Sequence, residues 1–249
     1  MSLTDQLARL GEVRAPASLL PAVMAAVGTA AADRYGRLDD EVWPLWIAWN
    51  RDGVSAVMRA DVNDEAAFSG WFRREFDRPL LRADSVPPAL TRSRRYDLRE
   101  VTAFERDVLL KTAEIPRGQV RTYGWVAREI GRPAAVRAVG TALANNPIPV
   151  LIPSHRVIRS DGVIGNYGAG GPEAKREILA REGVDPVEME RLAREGVRFF
   201  GSRTTHIFCV PTCRHARRVQ PRHHVQFHSE AEARTHGFRP CKVCRPAAA

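Results

Sequence analysis

All four cysteines lie near the C-terminal end of the chain, in two close pairs. Three residues separate Cys209 from Cys213, two separate Cys241 from Cys244, and 27 residues lie between the pairs. Each pair can present two sulfurs from one turn, and a tetrahedral zinc ion can join the two turns. Metal binding then drives the folding of a segment too small for a large core. The spacing predicts a Zn²⁺ site of four thiolates, and disulfides are the alternative.

A serine and a histidine are adjacent in the stretch Ile152-Pro153-Ser154-His155-Arg156-Val157. His155 is the only histidine among the first 200 residues, since the other six of the seven follow residue 205. A serine and a histidine supported by a carboxylate can activate a nucleophile for hydrolysis. A serine hydroxyl ionises far less readily than a thiol, whose pKa is about 8.5. A serine at position 154 is therefore expected to be a poor nucleophile.

Positive charge is concentrated at the same end of the chain as the cysteines. Residues 201–249 contain nine Lys and Arg against two acidic residues, and this balance of +7 leaves only +2 of the net charge of +9 for the rest. A basic patch of this kind favours a polyanion, and nucleic acid is the commonest soluble one. Improved solubility is the alternative explanation.

The segment from Asn146 to Gly171 carries a resemblance to a known family. It reads NPIPVLIPSHRVIRSDGVIGNYGAGG. It resembles the active-site segment of O6-alkylguanine-DNA alkyltransferases, in which an apolar run precedes Pro-Cys-His-Arg-Val and then Gly-x-x-Gly-x-Tyr. Ser154 stands where that family has its acceptor cysteine. The resemblance extends over Tyr96 to Gly183, with several motifs in the family's order.

This resemblance implies roles for individual residues. The family's relay runs from the acceptor through water to a histidine and a glutamate, while an asparagine braces the loop; the matching catalytic residues are Ser154, His155, Glu182 and Asn146. The second helix of a helix-turn-helix would face the DNA minor groove, and Arg137 would fill the gap left by an extruded nucleotide. Tyr123 would press on the target phosphate, and Tyr167 would hold the base. Arg156 is also expected to bind DNA.

Three functions are compatible with a serine at position 154. Alkyltransferase-like members of the family lack the cysteine, bind alkylated guanine without removing the alkyl group and flag it for excision repair. We expect this chain to be such a reader, which flips the base out of the duplex to bind it. One alternative is a methylated-DNA-protein-cysteine methyltransferase whose cysteine has been replaced by Ser154. The other is a hydrolase or glycosylase that uses Ser154, His155 and Glu182. Enzymatic activity is therefore an open question.

The cysteine segment carries a second resemblance. Two segments around the cysteines resemble the zinc-binding methyl-acceptor domain of adaptive-response (Ada-type) proteins. They read TTHIFCVPTCRHARR and VQFHSEAEARTHGFRPCKVCRP. That resemblance implies that Cys209 takes a methyl group from a DNA phosphotriester. A structural zinc clamp with basic phosphate contacts is the rival interpretation. In either case six cations are expected near phosphates: Arg214, Arg217, Arg218, Arg222, Arg239 and Lys242.

The remaining patterns predict the elements that position these groups. In the N-terminal part we expect an alanine-rich helix over 16–37, a hairpin of 42–49 and 54–60 around the turn 50–53, a helix over 64–76 and a connector over 78–95. From Tyr96 onward we expect a helix over 104–115, a short helix over 123–130 capped by Thr122, a break at 131–133, a helix over 134–145 and a linker helix over 184–197. The helices flanking the break suggest helix-turn-helix geometry.

Together these patterns predict the fold class and the domain organisation. We expect an α/β (α+β) N-terminal subdomain over 1–95, a helix-turn-helix alkyltransferase-like core over 96–185, a linker helix over 186–200 and a small zinc-stabilised domain over 201–249. No apolar run has transmembrane length, and the first residues lack the order of a secretion signal, so we expect a cytoplasmic, nucleoid-associated protein. The expected partners are double-stranded DNA with alkylated guanine or a methylphosphotriester, and excision-repair proteins.

Overall fold

A computed structural model describes residues 32–246 of the chain. Its first sheet contains β1 (Asp33–Asp39), β2 (Pro44–Asn50), β3 (Gly53–Arg59) and β4 (Leu80–Arg82) in the order β3-β2-β1-β4. β2 is antiparallel to both β1 and β3, whereas β4 is parallel to β1. The predicted hairpin is confirmed, and the side chain of Asn50 accepts a hydrogen bond from the Asp52 amide within its turn.

Both faces of this sheet are buried because successive side chains of a strand point to opposite sides. On one face, Trp46 and Ala48 pack against helix α1 (Glu65–Phe76), which contributes Phe68, Phe72 and Phe76. Asp64 caps α1 by accepting a hydrogen bond from the Ala67 amide. The predicted helix over 64–76 is therefore confirmed.

The other face of the sheet packs against the helical part of the chain. Leu45, Ile47 and Trp49 of β2 share one hydrophobic core with residues of the following helices. Those helices are α2 (Pro88–Arg92), α3 (Ala103–Ala113), α4 (Tyr123–Glu129) and α5 (Val136–Ala144). The N-terminal sheet and the helix pair α4–α5 are thus held together by a common core.

The helix pair forms as predicted. Thr122 begins α4 by accepting a hydrogen bond from the Trp125 amide at 3.0 Å. Residues 130–135 separate it from α5. The buried side of α5 consists of Val139, Ala142 and Leu143. The two-residue strand β5 (Arg121–Thr122) lies just before α4 and pairs in parallel with β6 (Val157–Ile158). Helices α6 (Gly171–Arg181) and α7 (Pro186–Arg194) follow, and α7 falls within the predicted linker helix.

A second four-stranded sheet forms the C-terminal module. Its strands are β7 (Phe199–Ser202), β8 (Ile207–Cys209), β9 (His224–Phe227) and β10 (Arg239–Pro240), in the order β10-β8-β7-β9, with the short helix α8 (Glu230–Thr235) before β10. Phe208 and Phe227 are buried inside it. The mixed α/β fold class with a small C-terminal domain is confirmed. Within residues 32–246, no helix has the length and apolar character needed to cross a membrane.

Two predicted elements differ from the structure. A helix was expected over 16–37. Its residues 16–31 lie outside the described residues, and residues 33–37 belong to strand β1 instead of a helix. In β1, Tyr35 packs against α1 and the backbone pairs with β2 on one side and β4 on the other, so long-range pairing overrides the local pattern. The connector expected over 78–95 contains β4 and α2. Strand β4 is three residues long, and among the strands of residues 32–246 it pairs with β1 alone.

Candidate functional site

Ser154 begins a single 3₁₀ turn, Ser154–Arg156, after an apolar loop. The residue is only 4% exposed. Asn146 Nδ2 donates hydrogen bonds to the Ile152 carbonyl at 2.9 Å and to Ser154 Oγ at 3.3 Å. Asn146 Oδ1 accepts a hydrogen bond from the Ile148 amide at 3.0 Å. One side chain therefore bonds to the start and the end of the loop that presents Ser154.

The loop before Ser154 contains a strained residue. Val150 has φ of +72°, a left-handed conformation that is costly for a β-branched side chain. The Ile152 amide bonds the Ile148 carbonyl at 2.9 Å, and Tyr96 Oη donates to the Leu151 carbonyl at 3.1 Å. These contacts on both sides hold Val150 in place, as expected where the surrounding structure determines an unfavourable backbone conformation.

His155, Arg156 and Glu182 form a buried cluster behind the serine. His155 Nε2 lies 3.0 Å from Glu182 Oε1, and Arg156 donates to the same carboxylate from Nε and Nη2, the latter at 2.6 Å. Arg156 Nη1 also donates to the Ile115 carbonyl at 2.6 Å. No hydrogen bond joins Ser154 to His155 within residues 32–246, and His155 Nδ1 is buried without a partner there.

Burial and ion pairing set the charges in this cluster. Burial opposes ionisation of Glu182, but the hydrogen bonds from His155 and Arg156 outweigh it and lower the pKa of this carboxyl to about 2. Burial also lowers the pKa of His155, more than the carboxylate raises it. At neutral pH the cluster therefore consists of a carboxylate, a guanidinium and a neutral imidazole, in which Glu182 orients the ring.

Tyr167 and Lys175 form the next part of the site. The ring of Tyr167 lies edge-on to His155 with ring centroids 6.0 Å apart, and Tyr167 is 5% exposed. Lys175, in α6, donates to the Val157 carbonyl at 2.6 Å and to the Asn166 carbonyl at 3.2 Å. Burial lowers the pKa of Lys175 to about 8. The ammonium group thus ties the strand after Ser154 to the loop that carries Tyr167.

A cavity of about 850 Å³ opens beside Ser154. Ser154 and Asn146 line it together with the segment Gly168–Gly170, the C-terminal end of α5 and residues of β3 and α1. Gly168 approaches α5 so closely that an added Cβ would lie 2.6 Å from the Ala144 carbonyl oxygen. The cavity is large enough for a purine with a substituent, and Ser154 and Asn146 give its wall polar groups, features that binding sites commonly share.

The four cysteines meet in the C-terminal module. Their sulfurs lie within 4.8 Å of one another, all four residues are buried, and none forms a disulfide. Zinc–sulfur bonds of about 2.3 Å place tetrahedral sulfurs about 3.8 Å apart, so this spacing fits a zinc ion. Cys209 ends β8 and Cys213 follows in the next turn, while Cys241 and Cys244 follow β10.

A smaller cavity of about 310 Å³ reaches Cys209. Cys241, Arg239 and Lys242 line the cavity, and His215 and His224 lie on its other sides. Cations beside a buried cysteine would favour an anionic group such as a phosphate.

Comparison with known proteins places both parts of the chain. Residues 103–184 match the family model for the DNA-binding domain of 6-O-methylguanine DNA methyltransferases. Residues 188–247 match the model for the metal-binding domain of Ada. The first match covers α3 to α6 and the Ser154 site, and the second covers the four cysteines. These cysteines are therefore the zinc site of the protein, and the predicted Zn²⁺ cofactor is confirmed.

The chain covers nearly all of one relative and about half of another. A methylated-DNA–protein-cysteine methyltransferase of Methanosarcina acetivorans is 34% identical over 154 residues, which are 60% of this chain and 97% of the relative. The chain belongs to this alkyltransferase family. The rat protein of the same name is 40% identical over 117 residues, which are 47% of this chain and 54% of that protein. The chain thus spans about half the length of the rodent relatives that it matches.

Solved structures of the family also match. The O6-methylguanine-DNA methyltransferase of Pyrococcus kodakaraensis has 26% identity, covers 61% of this chain and 99% of its own, and gives a TM-score of 0.48. The Mycobacterium tuberculosis OGT in complex with DNA has 28% identity, covers 63% and 98%, and gives a TM-score of 0.42.

The structure of this alkyltransferase-family chain brings most of the predicted site residues together. Asn146 contacts Ser154, and the adjacent residue His155 belongs to a second group of contacts with Arg156, Tyr167 and Glu182. Tyr123 lies at the start of α4, with its ring 5.9 Å from Lys175 Nζ. Arg137 is exposed on α5. Cys209 belongs to the separate zinc site.

Arg156 differs from the other predicted DNA-binding residues in its surroundings. Its side chain is only 14% exposed, and its guanidinium bonds Glu182 and Ile115. Arg137, in contrast, is free of ion pairs within residues 32–246 and faces solvent. The DNA contact predicted for Arg156 therefore stays a prediction, to be tested against a role in orienting Glu182.

Sequence reasoning did not single out Lys175, Val150 or Tyr96. A signal for Lys175 exists, because Ile178 and Leu179 follow it at helical spacing and place it on the buried face of α6. A charge on such a face is rarely present without a partner. For Val150 there is no comparable signal, because its left-handed φ arises from the loop geometry.

Proposed function

We propose that this chain binds alkylated guanine, extruded from duplex DNA into the cavity beside Ser154, without transferring the alkyl group. One observation carries the proposal. The chain has four cysteines, and all four belong to the zinc site, so the core contains no thiol. The residue that lines the cavity is Ser154, which we take to stand in the place of the family's acceptor cysteine.

The chemistry of the serine argues against transfer. Attack on a saturated alkyl carbon needs a soft nucleophile that ionises near neutral pH, which a thiol with a pKa of about 8.5 can provide and a hydroxyl cannot. Asn146 donates a hydrogen bond to Ser154 Oγ, but this contact cannot make up the large difference in acidity. Ser154 would therefore contact the base without removing the adduct.

The surroundings of Ser154 suit the binding of an extruded base. The cavity of about 850 Å³ is bounded by the Tyr167 loop, which Lys175 ties to the strand after Ser154. Tyr123 and Arg137, at the start of the two helices of the pair, are the proposed phosphate contact and wedge. Extrusion of a base costs a few kcal/mol, and least when its pairing is already damaged. This difference supplies part of the selectivity.

Hydrolysis is the less favoured function of the same residues. A Ser-His-acid triad needs a hydrogen bond from the serine hydroxyl to the histidine. Ser154 instead bonds Asn146, and His155 uses Nε2 for Glu182. A hydrolase or glycosylase would require the turn to rearrange, whereas binding requires no such change.

A second candidate function belongs to the zinc module. We propose that Cys209 accepts a methyl group from a DNA methylphosphotriester, because it lines a cavity with Arg239 and Lys242. Bound zinc keeps the cysteines deprotonated at neutral pH. The Cys209 sulfur would form a bond to the methyl carbon, the carbon–oxygen bond would break, and the phosphate diester would leave with its negative charge. A cysteine that only holds zinc would stay unmodified.

A binding experiment tests the first function. The full zinc-loaded chain is titrated against three duplexes of one sequence that contain guanine, O6-methylguanine or a backbone methylphosphotriester, and fluorescence anisotropy is followed at several salt concentrations. We expect the O6-methylguanine duplex to bind at least about tenfold more tightly than the guanine duplex. Equal affinity for these two duplexes would contradict the proposal.

Mass spectrometry of the same mixtures separates the candidate chemistries. Binding of alkylated guanine without alkyl transfer leaves the mass of every core peptide unchanged and the DNA intact. Methyl transfer to the zinc module adds one methylene mass to the Cys209 peptide, and only with the phosphotriester duplex. Abasic sites or released base would indicate a glycosylase. An excision-repair partner would be expected to bind the lesion complex more tightly than the free chain.

A further inference from the structure

The zinc module packs directly on the segment that leads into α4. Thr212 Oγ1 accepts a hydrogen bond from the Val120 amide at 3.0 Å, and Arg217 Nη2 donates to the Gly118 carbonyl at 2.6 Å. Arg245, next to the ligand Cys244, pairs with Glu129 at 2.5 Å. These contacts are distributed along the whole segment from Gly118 to Glu129, so the module and the core form an extended interface.

Arg121 is buried in the middle of this interface. It is 4% exposed, and its guanidinium donates only to neutral groups, the Val120 carbonyl at 2.8 Å and Gln119 Oε1 at 3.0 Å. Its Nε has no partner, and within residues 32–246 no carboxylate forms an ion pair with it. A buried cation without a counter-ion is strongly disfavoured, so a compensating negative charge is expected nearby.

The cysteine cluster lies at the same interface. Thr212, next to the ligand Cys213, bonds the Val120 amide beside Arg121, and Arg245, next to the ligand Cys244, contacts the same Trp125 ring as Arg121. Burial lowers the pKa of Arg121, while the charges of Cys244, Cys213 and Cys241 raise it. Four thiolates around one zinc dication leave two net negative charges. These charges are as deeply buried as the arginine, because Cys213 and Cys244 are fully buried. The guanidinium of Arg121 therefore supplies the positive charge that the buried cluster lacks, and the cluster supplies the negative charge that Arg121 lacks.

We propose that Arg121 is the counter-cation of the zinc–thiolate cluster and thereby couples zinc binding to the docking of the zinc module on the core. Trp125 fixes the arrangement, since its ring lies 5.4 Å from the Arg121 guanidinium and 5.7 Å from that of Arg245. Arg121 is a positioning residue: it touches no substrate and acts through the charge of the cluster. The inference does not depend on whether Cys209 accepts a methyl group.

This coupling reaches the Ser154 site through the backbone. Arg121 and Thr122 form β5, which pairs with β6 directly after the turn of Ser154. Thr122 also caps α4, whose first residue is Tyr123. The neighbouring residue Gly118 donates its amide to Glu182 Oε2 at 3.2 Å while Arg217 holds its carbonyl. The segment from Gly118 to Glu129, which packs against the zinc module, is therefore in direct contact with the candidate site.

Zinc affinity of the full chain tests the proposal. Competition with a chromophoric chelator gives the zinc dissociation constant of the unsubstituted chain, Arg121→Met, Arg121→Lys and the control Arg128→Gln. Arg128 lies on the same segment and contacts the Arg245 carbonyl from a more exposed position. We expect Arg121→Met to raise the dissociation constant at least about tenfold, since it leaves buried negative charge without compensation. Arg121→Lys keeps the charge and should raise it less, and Arg128→Gln should leave it within about twofold.

Thermal unfolding of the metal-free chains provides the second arm. Without zinc the thiols are protonated and the module is expected to unfold, so Arg121 no longer faces a buried negative charge and its replacement by Met should not lower the Tm of the remaining core. If Arg121→Met lowers the Tm of metal-free and zinc-loaded protein equally, Arg121 is only a packing residue and the proposal is wrong. It is also wrong if Arg121→Met binds zinc as tightly as Arg128→Gln does. Should the Met variant fail to fold, Arg121→Gln is judged by the same criteria.

Discussion

Asn146 donates a hydrogen bond to the hydroxyl of Ser154 across 3.3 Å, and the same amide group bonds the Ile152 carbonyl. The contact places the hydroxyl against the cavity wall and gives position 154 a donor that would also stabilise an anionic sulfur. The frame around the position is therefore compatible with a nucleophile that the chain does not have there.

Replacing Ser154 by cysteine should give the core methyl-transfer activity. A thiol ionises about as readily as needed near neutral pH, with an unperturbed pKa of about 8.5, and His155 and Glu182 are already in contact behind it. After incubation with an O6-methylguanine duplex, we expect one methylene mass on the peptide that contains position 154. Ser154→Ala is the control and should remain unmodified. An inactive Ser154→Cys that still binds the duplex would mean that the relay is not functional.

Replacing Asn146 by alanine should destabilise the fold. Three hydrogen bonds would be lost, two of them to backbone groups of the buried loop, and unsatisfied buried groups cost about 1–3 kcal/mol each. We expect a loss of about 2 kcal/mol in the free energy of unfolding, measured by urea denaturation. Asn145→Ala is the matched control, because Asn145 is exposed and its side chain forms no hydrogen bond within residues 32–246. Equal losses in both variants would contradict the bracing role of Asn146.

The ion pair of Glu182 should make stability depend on pH in the acid range. The fold lowers the pKa of this carboxyl from 4.5 to about 2, so its stabilisation is complete above pH 4.5 and is lost as the pH falls toward 2. The shift corresponds to a contribution on the order of 3 kcal/mol. Glu182→Gln should be less stable at pH 7 and show a flatter pH profile below 4.5.

Urea denaturation at a series of pH values measures this dependence. Glu173→Gln serves as the control, because the side chain of Glu173 is 86% exposed. The control should follow the profile of the unsubstituted chain. A Glu182→Gln profile that runs parallel to the unsubstituted one would show that the carboxylate does not carry the acid dependence.

The sequence predicts those elements that depend on local signals. The hairpin has its Gly-ended turn, Thr122 caps α4, and Asp64 caps α1, and in each case the contact joins residues a few positions apart. Strand β4 was not predicted because its pairing with β1 joins residues 47 positions apart, such as Asp33 with Leu80, which periodicity does not reveal.

In the candidate site, too, features set by residue spacing were predicted, whereas contacts between distant residues were not. The cysteine pairs predict the zinc site because metal geometry restricts their spacing. The hydrogen bond between Arg156 and Glu182 joins residues 26 positions apart, and the sequence did not predict it. The sequence also did not predict that the zinc module packs against the core near Arg121 and Trp125. Resemblance to a family supplied the positions of the site residues, whereas the burial and the partners that set their charges depend on the folded chain.

Removing zinc should unfold the C-terminal module and leave the first sheet intact. The module has a small core around Phe208 and Phe227, and apart from the short pairing of β8 with β10 its two cysteine pairs are held together by the metal. Hydrogen exchange measured by mass spectrometry before and after chelation should show loss of protection in β7 to β10. Strands β1 to β3 should keep their protection, because their core with Phe68 and Phe72 lies in the other part of the chain. Unchanged protection of β7 to β10 would indicate that zinc is not needed for folding.

Replacing Arg137 by alanine should weaken binding to damaged DNA without affecting stability. The side chain is exposed on α5, so its removal leaves no cavity and no buried unpaired group, and the Tm should stay the same. If Arg137 fills the space of the extruded nucleotide, its loss should reduce the preference for O6-methylguanine over guanine by about tenfold. Loss of a simple phosphate contact would instead weaken binding to both duplexes equally and reduce its salt dependence. Arg73→Ala removes one exposed positive charge from α1 and is the matched control. A preference that is the same in both variants would exclude the wedge role of Arg137.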